Sequence, residues 1–413
     1  MASPKLRFKE FDGDWSLKSI NDIASKVGSG STPRGGAEAY VDEGIIFIRS
    51  QNVNDNQLLL NDVVFIPEST HEKMSGSKVL PNDILLNITG ASIGRSCVVP
   101  ESFSDGNVNQ HVCIIRTPND NPIFVQSFLS SENGQNHIQS KQVGGGREGL
   151  NFQAIRSFDF EMPSNTEQTK IASFLSSVDE KISQLTQKHE LLSQYKQGMM
   201  QKLFSQQIRF KADDGSEFGE WEKAKIGTIT ETIFGYPFDS KEMVEGSSGI
   251  PLMRGINIGE RHIRHSFELD RFFLKDTSKL EKYFVKVNDI VLSMDGSKVG
   301  RNSAFVTEKD AGSLLVQRVC ILRKKEKTNI QYVYQWIVSK EFHRYVDQVK
   351  TSSGIPHISG KQIQDYEIDC PCLEEQTKIA NFLTAIDQKI EVVALQIEQA
   401  KQWKKGLLQQ MFV

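Results

Sequence analysis

Apolar residues recur at heptad spacing along two long segments of the chain, and the two segments have nearly the same sequence. The first covers residues 167–204 and the second residues 375–412, with a constant offset of 208 and no gap. A seam sustained for about five heptads is typical of a coiled coil. The pattern therefore predicts two long helices that each need a helical partner. The apolar seam positions are Ile171, Leu175, Val178, Ile182, Leu185, Leu192, Ile379, Leu383, Ile386, Ile390, Val393 and Ile397.

Few polar residues interrupt the seam, and Lys196 and Lys404 occupy the same place in the two copies, while His189 is a further break. We expect such positions to set the register of a coil rather than to bind a ligand. Two equivalent seams in one chain pair most simply as an antiparallel two-helix coiled coil with a module at each end. In the alternative, each helix packs only on its own module. A helix about 57 Å long would overhang a module of roughly 160 residues, which favours the coil.

The segments outside the long helices predict strand-rich modules. Short β-branched runs at residues 45–49, 63–66, 83–88, 97–99 and 112–116 are separated by Gly, Pro, Asn and Asp. One helix per module is predicted, beginning at Pro122 in the first and running through Ile330 and Val346 in the second. The predicted fold is α+β, with two strand-rich α/β modules separated by an antiparallel two-helix coiled coil in a pseudo-twofold internal repeat. Its segments are residues 1–163, 164–205, 206–371 and 372–413.

Composition and charge restrict the possible functions. The chain has 413 residues, of which 38% are hydrophobic and 24% charged, and contains no long apolar run, so a cytoplasmic protein without a membrane association is expected. Cys113 and Cys320 lie at matched places in apolar strands and are predicted to be buried thiols. The net charge of −3 shows no overall excess of basic residues. Any contact with nucleic acid must therefore depend on where the positive charges lie on the surface.

Glycine-rich loops with polar neighbours are the candidate contact surfaces of both modules. The segments TGASIGR at 89–95 and DGSKVGR at 295–301 match each other, and the small-residue loops GGGREG at 144–149 and TSSG at 351–354 follow the predicted helices. Phosphates bind Arg, Lys, Ser and main-chain N–H groups, whereas base edges are read by Arg, Asn, Gln and acidic groups. For any one residue, solvation or turn capping is the alternative role. The candidates are Arg49, Gln51, Asn52, Ser92, Arg95, Asn109, Gln110, Lys141 and Arg147 in the first module, and Arg254, Asn257, Arg261, Ser297, Lys298, Arg301, Gln317, Arg318, Lys350 and His357 in the second.

No catalytic motif accompanies these loops in the sequence. The chain lacks HExxH, GxSxG, zinc-ligand spacing, a phosphate-binding P-loop and a dinucleotide-binding glycine motif, and it lacks the Asn-Pro-Pro-Tyr or Asp-Pro-Pro-Tyr tetrapeptide of DNA amino-methyltransferases. The sequence therefore predicts a recognition protein with no catalytic residues, metal or cofactor of its own.

Two divergent modules alternating with two nearly identical heptad helices resemble the specificity subunit of type I restriction-modification systems. The resemblance covers essentially the whole chain. It rests on the EQTKIA helix starts at Glu167 and Glu375, the GMMQKLF and GLLQQMF helix ends, the DILL and DIVL strands with their following glycines, and the GDW and GEW module openings.

The resemblance implies that each module is a target-recognition domain that reads one half of a split, asymmetric site in double-stranded DNA, while the coil sets the gap. It also implies two methyltransferase subunits, which bind S-adenosylmethionine and dock on the helices and modules, and two motor-nuclease subunits that use ATP and Mg²⁺. Because the modules differ at matched positions, the two half-sites are expected to differ.

Other functions remain open at the level of the sequence. One is a scaffold that contacts only proteins, which an affinity for DNA that falls steeply with salt would exclude. Another is the recognition subunit of a related methylation-only or fused system. An enzyme is the third, and methyl transfer by the isolated chain would support it.

Overall fold

The protein consists of two compact units, and each long helix contributes to both. A computed structural model describes residues 4–33, 35–54, 56–142, 149–246, 248–351 and 354–412, apart from the side chains of residues 36 and 37. Unit 1 comprises Met1–Lys188 with Val393–Val413, and unit 2 comprises His189–Val392. This spatial division differs from the four-segment division by sequence, because the last part of each long helix packs on the module of the other copy. Candidate Arg147 and most of the GGGREG loop, like residues 352 and 353, lie outside the described residues.

The helices include two that are far longer than the others, at the places that the heptad pattern predicts. Within the described ranges, none of the helices combines the length and apolar character that a bilayer-spanning segment requires. In chain order the helices are α1 (Ile20–Ile23), α2 (Glu68–Lys73), α3 (Pro122–Ser130), α4 (Glu132–Ser140), α5 (Phe152–Arg156), α6 (Asn165–Phe204), α7 (Ile226–Ile229), α8 (Ile330–Ile337), α9 (Lys340–Val349), α10 (Gly360–Asp365) and α11 (Leu373–Met411).

The strands are short, and within the described residues each of the nine in the second copy matches a strand of the first, which has two more. In the first copy they are β1 (Ser16–Ser19), β2 (Lys26–Ser29), β3 (Ile45–Ile48), β4 (Val53–Asn54), β5 (Gln57–Leu58), β6 (Val64–Ile66), β7 (Ile84–Asn87), β8 (Ser96–Val98), β9 (Gly106–Val108), β10 (Val112–Arg116) and β11 (Asp159–Met162). In the second copy they are β12 (Glu222–Lys225), β13 (Thr230–Phe234), β14 (Ile250–Met253), β15 (Phe272–Phe273), β16 (Ile290–Ser293), β17 (Ser303–Phe305), β18 (Leu314–Leu315), β19 (Val319–Lys324) and β20 (Glu367–Cys370).

Three sheets occur in both copies, and the first copy has a further two-stranded sheet, β4-β5. A four-stranded antiparallel sheet has the order β2-β10-β7-β8 in unit 1 and β13-β19-β16-β17 in unit 2. A three-stranded sheet follows the order β6-β3-β9 or β15-β14-β18, with one parallel pair in each. A two-stranded ribbon, β1-β11 or β12-β20, precedes the long helix. The internal repeat of the sequence is therefore a repeat of topology.

The four-stranded sheets are buried on both faces, which explains their continuous apolar runs. In β7, Ile84 and Leu86 join the cluster that contains α3 and the long helices, whereas Leu85 joins a second cluster on the opposite face. Cys113 and Cys320 are fully buried, as the sequence predicts, and burial raises the pKa of both thiols to about 12. A substitution within these strands therefore affects packing rather than a surface.

The helix predicted from Pro122 is α3, whereas the helix predicted from Ile330 through Val346 is wrong, because a serine divides it into α8 and α9. In the first module, Ser131 lies between α3 and a second helix, α4, and it caps α4 by accepting a hydrogen bond from the main-chain N–H of Gly134. Ser339 precedes α9 and accepts from the N–H of Phe342 at 3.1 Å. A serine in extended conformation is a strong helix N-cap, so the polypeptide turns there although the apolar spacing continues.

In each unit the first half of one long helix lies antiparallel to the second half of the other. In unit 1, Lys404 Nζ donates to Asp179 at 2.6 and 2.8 Å. In unit 2, Lys196 Nζ donates to both oxygens of Asp387 at 2.6 Å. The residue numbers of each ion pair add to 583, so one register serves both pairs. The predicted seam is buried or half-buried throughout, and its lysines bind aspartates of the partner helix.

The end of each long helix packs on the module of the other copy. In unit 1, the ring of Phe412 lies 5.2 Å from that of Phe124 in α3. In unit 2, Phe204 stacks on Trp336 of α8 with ring centroids 4.0 Å apart. The matched aromatic ends of the two helices therefore complete the cores of the two units.

A buried glutamate joins the start of each long helix to the segment before its module. In unit 1, Glu167 accepts from Arg7 at 2.7 and 2.8 Å and from the Trp15 indole at 3.3 Å. In unit 2, Glu375 accepts from Arg209 at 3.1 and 2.8 Å and from Trp221 at 2.9 Å. The first residue of the EQTKIA motif thus has a structural role in both copies.

The next residue of the motif, a glutamine, bonds to the N-cap residue of the first helix after the four-stranded sheet. Gln168 accepts from the main-chain N–H of Asn121 at 2.9 Å, and Gln376 accepts from that of Asn329 at 2.8 Å. These asparagines are the N-caps of α3 and α8. The motif therefore fixes the long helix to both neighbouring elements, which explains why it is retained in both copies.

Candidate nucleic-acid interface

Loops from several strands meet at one end of each four-stranded sheet. In unit 1, β2 and β7 end where β10 begins, because Ser29 pairs with Cys113 and Asn87 with Val112. We call the resulting surface tip 1, made of residues 30–33, 49–52, 88–95 and 109–111. In unit 2, Phe234 pairs with Cys320 and Ser293 with Val319. The matching surface, tip 2, is made of residues 235–238, 254–257, 294–301 and 316–318.

Main-chain contacts build the two tips in the same way. The N–H of Ile88 donates to the carbonyl of His111 at 3.0 Å, and Met294 donates to Arg318 at 2.8 Å. A β-bridge joins Thr89 to Gly149 in unit 1, and Asp295 to His357 in unit 2. Because these contacts use main-chain atoms, the side chains at the matched positions can differ without disturbing the fold. They do differ: Thr89 stands against Asp295, His111 against Arg318, and Gly149 against His357.

Some of the predicted contact residues are exposed at the tips. Within the part of the chain that the structure describes, Arg95, Ser297, Gln317 and Arg318 make no side-chain hydrogen bond or ion pair. Gln110 is also exposed, and Ser92 is half-buried. Arg318 has a φ of 69°, which places this arginine at the turn that enters β19. These side chains are available to an incoming ligand.

Other predicted residues are exposed or half-buried and are already paired with acidic neighbours. Gln51 donates to Asp62 at 2.7 Å, and Lys298 binds Glu260 at 2.8 Å. Arg301 and Lys350 both bind Asp347, and their hydrogen bonds hold the pKa of that carboxyl far below its ordinary value. A phosphate approaching these cations must compete with a carboxylate, so they are weaker DNA-contact candidates than Arg95.

The matched Asn52 and Asn257, which the sequence predicts to read bases, are both buried in turns. Asn52 accepts from the N–H of Arg49 at 2.9 Å and donates to the carbonyls of Leu59 and Asp62 at 3.0 and 2.8 Å. Asn257 accepts from the N–H of Arg254 at 3.3 Å and donates to the carbonyl of Arg264 and a carboxylate oxygen of Asp270. Their side chains hold the loop in both copies.

Asn109 is a further predicted reader whose side chain bonds within its own turn. It is buried, and its carbonyl oxygen accepts from the N–H of His111 at 3.0 Å within the same turn. Asparagine is common in turns because its side chain can replace a main-chain partner in this way. Its role is to shape the turn that exposes Gln110.

Four further candidates have half-buried side chains. Arg49 and Arg254 are half-buried, and burial together with the nearby Arg271 lowers the pKa of Arg254. Lys141 donates to the carbonyl of Ser157 at 2.6 Å, which ties the end of α4 to the end of α5. The His357 ring contacts Thr351 Oγ1 at 2.9 Å beside the β-bridge. Their side chains are directed mainly to the protein.

Arg261 is attached to the coil, which the sequence did not indicate. Its guanidinium donates to Asp387 at 2.6 Å, and Gln335 of α8 donates to the same carboxylate at 3.1 Å. Asp387 therefore holds Arg261, Gln335 and Lys196 together. Arg261 therefore links the loop to α11, and because its side chain is 45% exposed its DNA contact stays a prediction.

Three residues of tip 1 that sequence reasoning did not select form a hydrogen-bonded chain with Gln110. Thr32 bonds to the amide oxygen of Gln110, whose nitrogen lies 3.1 Å from His111 Nε2. His111 Nδ1 lies 2.6 Å from Thr89 Oγ1. The available signal was that His111 and Thr89 are replaced by Arg318 and Asp295 in the second copy. The described residues contain no group of His, Cys, Asp and Glu side chains arranged to hold a metal ion.

Comparisons with known proteins agree with this architecture. Residues 12–194 and 219–402 both match the family described as type I restriction modification DNA specificity domain. The specificity subunit of the type I restriction enzyme MjaVIII from Methanocaldococcus jannaschii is 24% identical over 419 residues, which cover 97% of this chain and 94% of that protein.

Solved structures share the fold across the full chain. The crystal structure of the S subunit of the type I restriction-modification system from M. genitalium aligns over 100% of this chain and 99% of its own, with a TM-score of 0.63 and 15% identity. A chain from a study of complex assembly and conformational transition of the type I system aligns over 97% of both chains, with a TM-score of 0.55 and 14% identity.

Proposed function

Because this chain belongs to the type I restriction-modification DNA specificity family, we propose that each unit reads one half of a bipartite, asymmetric DNA site and that the coiled coil sets the spacer between the halves. In this function the chain supplies sequence recognition to a restriction-modification complex. It positions double-stranded DNA for subunits that carry out the chemistry.

One observation carries the proposal: the two tips have the same main-chain construction and different exposed side chains. The same hydrogen bond joins Ile88 to His111 and Met294 to Arg318. Direct readout depends on which donors and acceptors reach the base edges. The two tips share their main-chain structure but differ in their side chains, which are His111 and Thr89 in one unit and Arg318 and Asp295 in the other. We therefore expect them to bind different sequences.

We further propose the partners and the division of chemistry. Two methyltransferase subunits would bind S-adenosylmethionine, and two motor-nuclease subunits would use ATP and Mg²⁺, while this chain binds no cofactor and performs no catalysis. The family assignment supports DNA and these classes of subunit as partners, and the numbers of subunits are part of the proposal.

The charge of the chain also favours a shared DNA interface. The net charge is −3, and several tip cations are already paired with carboxylates. Phosphate contacts supply much of the affinity of a DNA-binding protein. Arg95 and Arg318 are free to contribute, and we propose that partner subunits complete the positive surface around the duplex.

Exchanging residues 1–163 for the corresponding segment of another specificity subunit should change one half of the methylated motif and leave the other half intact. The expected result follows from each tip being built within one unit. Sequencing of methylated bases in a host that carries the chimera and its methyltransferase would measure it. A motif altered in both halves would contradict the proposed division of the site.

Removing one heptad from each long helix should shorten the spacer without changing either half-site. Because paired residue numbers add to 583, deleting residues 185–191 together with 392–398 preserves the register at both ion pairs. Seven residues correspond to about 10 Å of helix, or roughly three base pairs. The same methylation assay reports the spacer. An unchanged spacer in a folded, active variant would refute the proposed role of the coil.

A further inference from the structure

The side chain of Gln110 is held in place at the exposed surface of tip 1. Thr32 donates its hydroxyl hydrogen to the amide oxygen of Gln110, and the Gln110 nitrogen donates to His111 Nε2 at 3.1 Å. An amide N–H can only donate, so Nε2 is the acceptor of a neutral imidazole. His111 Nδ1 then carries the hydrogen and donates to Thr89 Oγ1 at 2.6 Å. With these assignments, every hydrogen bond from Thr32 to Thr89 pairs one donor with one acceptor.

These contacts leave half of the hydrogen-bonding capacity of Gln110 unused. A glutamine amide has two acceptor sites on its oxygen and two hydrogens on its nitrogen. Thr32 occupies one acceptor site, and His111 takes one hydrogen. One acceptor site and one donor hydrogen therefore remain on an exposed side chain whose orientation is already fixed.

The remaining pair matches one base edge. In the major groove, adenine presents the N6 amino donor beside the N7 acceptor, and an amide side chain binds both at once. Guanine presents two acceptors at the same place, and cytosine presents a donor. An amide with one free acceptor and one free donor is thus complementary to adenine.

We propose that Gln110 reads an adenine in the half-site bound by unit 1, and that Thr32 and His111 position it for this contact. The inference rests on the proposed function and adds to it the residue and the base. Holding the side chain before DNA binds reduces the rotamer entropy lost on binding, which increases the benefit of the contact.

The second copy contains the same glutamine without these supports. Gln317 aligns with Gln110, but Pro237 stands where Thr32 does and has no hydroxyl group. Arg318 replaces His111, and a guanidinium cannot accept a hydrogen bond. Within the described residues Gln317 has no side-chain partner. Gln317 is therefore a matched control that differs from Gln110 in its supports.

The test uses the complex of the full chain with its methyltransferase subunits. Base-by-base substitution of the wild-type methylation site in duplex oligonucleotides gives the discrimination at each position. Gln110→Ala should reduce discrimination for adenine by about ten- to a hundred-fold at one position, in the half-site that the exchange of residues 1–163 alters. Gln110→Glu, which can only accept, should shift the preference at that position toward cytosine, whose N4 group donates.

Two further variants separate reading from folding. Thr32→Val removes one support and should lower the same discrimination several-fold, whereas Gln317→Ala should leave this half-site unchanged. Thermal melting of the Gln110 variants should match that of the wild type, because the side chain is exposed.

Specific results would overturn the inference. Unchanged stringency at every position for Gln110→Ala, or an equal loss at all positions, would mean that Gln110 reads no base. A change confined to the other half-site would have the same meaning. If the wild-type complex methylates no bipartite site, the proposed function itself fails, and the inference fails with it.

Discussion

Replacing Asp387 by alanine is expected to lower the free energy of unfolding of unit 2 by about 3–5 kcal/mol, which is the usual cost of leaving a buried charge unpaired. The Lys196 side chain is only 4% exposed, and both of its short contacts are to this carboxylate. Arg261 and Gln335 lose the same acceptor. Denaturant unfolding, with hydrogen exchange followed in residues 189–392, would measure the loss.

Two control variants make this prediction specific. Asp179→Ala should cost less, because the Asp179 side chain is 42% exposed and holds Lys404 alone. Lys196→Met should also be milder, because it removes the buried charge and leaves Asp387 paired with Arg261. Equal losses in Asp387→Ala and Lys196→Met would contradict the assignment of the cost to an unpaired ammonium.

The pH dependence of the Asp387 variant provides an independent check. Burial and the nearby Arg261 lower the pKa of Lys196 to about 8 in the wild type, against the opposing effect of Asp387. Without Asp387 the folded-state pKa should fall further, while the unfolded value stays near its ordinary ~10.4. The unfolded state then binds more protons in this window, so the stability of the variant should increase between pH 7 and 9. A decrease over that range would be inconsistent with a buried lysine.

Replacing Glu375 by alanine is expected to destabilise unit 2 by a similar amount, about 3–5 kcal/mol. The carboxylate is fully buried and accepts three hydrogen bonds, two from Arg209 and one from Trp221. Its loss would also release the segment between α6 and β12 from the start of α11. Thermal unfolding combined with limited proteolysis of residues 205–221 would detect both effects.

Conservative variants distinguish the charge from the shape of this site. Glu375→Gln keeps the volume and one acceptor oxygen but faces Arg209 with an amide NH₂, so an intermediate loss is expected. Glu167→Ala in unit 1 should expose residues 5–15 to protease in the same manner, because Arg7 and Trp15 bind that carboxylate. Protection of both segments in these variants would show that the glutamates do not hold them.

The coil could be predicted from the sequence because its signal is local and periodic. The two seams, one in each long helix, can be recognised from heptad spacing alone. The aspartates that neutralise Lys196 and Lys404 could not be identified from the sequence. They lie 191 and 225 residues from their lysines, and the pairing depends on the register of the two antiparallel helices. The periodicity predicts that each helix has a helical partner. The ion pairs depend on the register of the two helices, which the periodicity does not specify.

Identity between the copies does not by itself distinguish a contact residue from one that a turn requires. Asn52 and Asn257 are identical because the same turn needs the same side chain, and Arg261 was selected for its charge although Asp387 binds it. The more informative positions are those where the copies differ on a shared frame, such as His111 and Arg318. A duplicated chain retains what folding requires in both copies, so differences between copies point to the binding surface.

The use of main-chain atoms to build the tips has a consequence for the evolution of this protein. Ile88 and Met294 hold their loops through the carbonyls of His111 and Arg318, whichever side chain these residues carry. Mutations of the exposed tip side chains can therefore accumulate with little penalty to folding, whereas the buried asparagines of the tips and the sheets behind them, buried on both faces, tolerate almost none. A lineage could acquire a new DNA target through a few surface codons and retain the same subunit assembly.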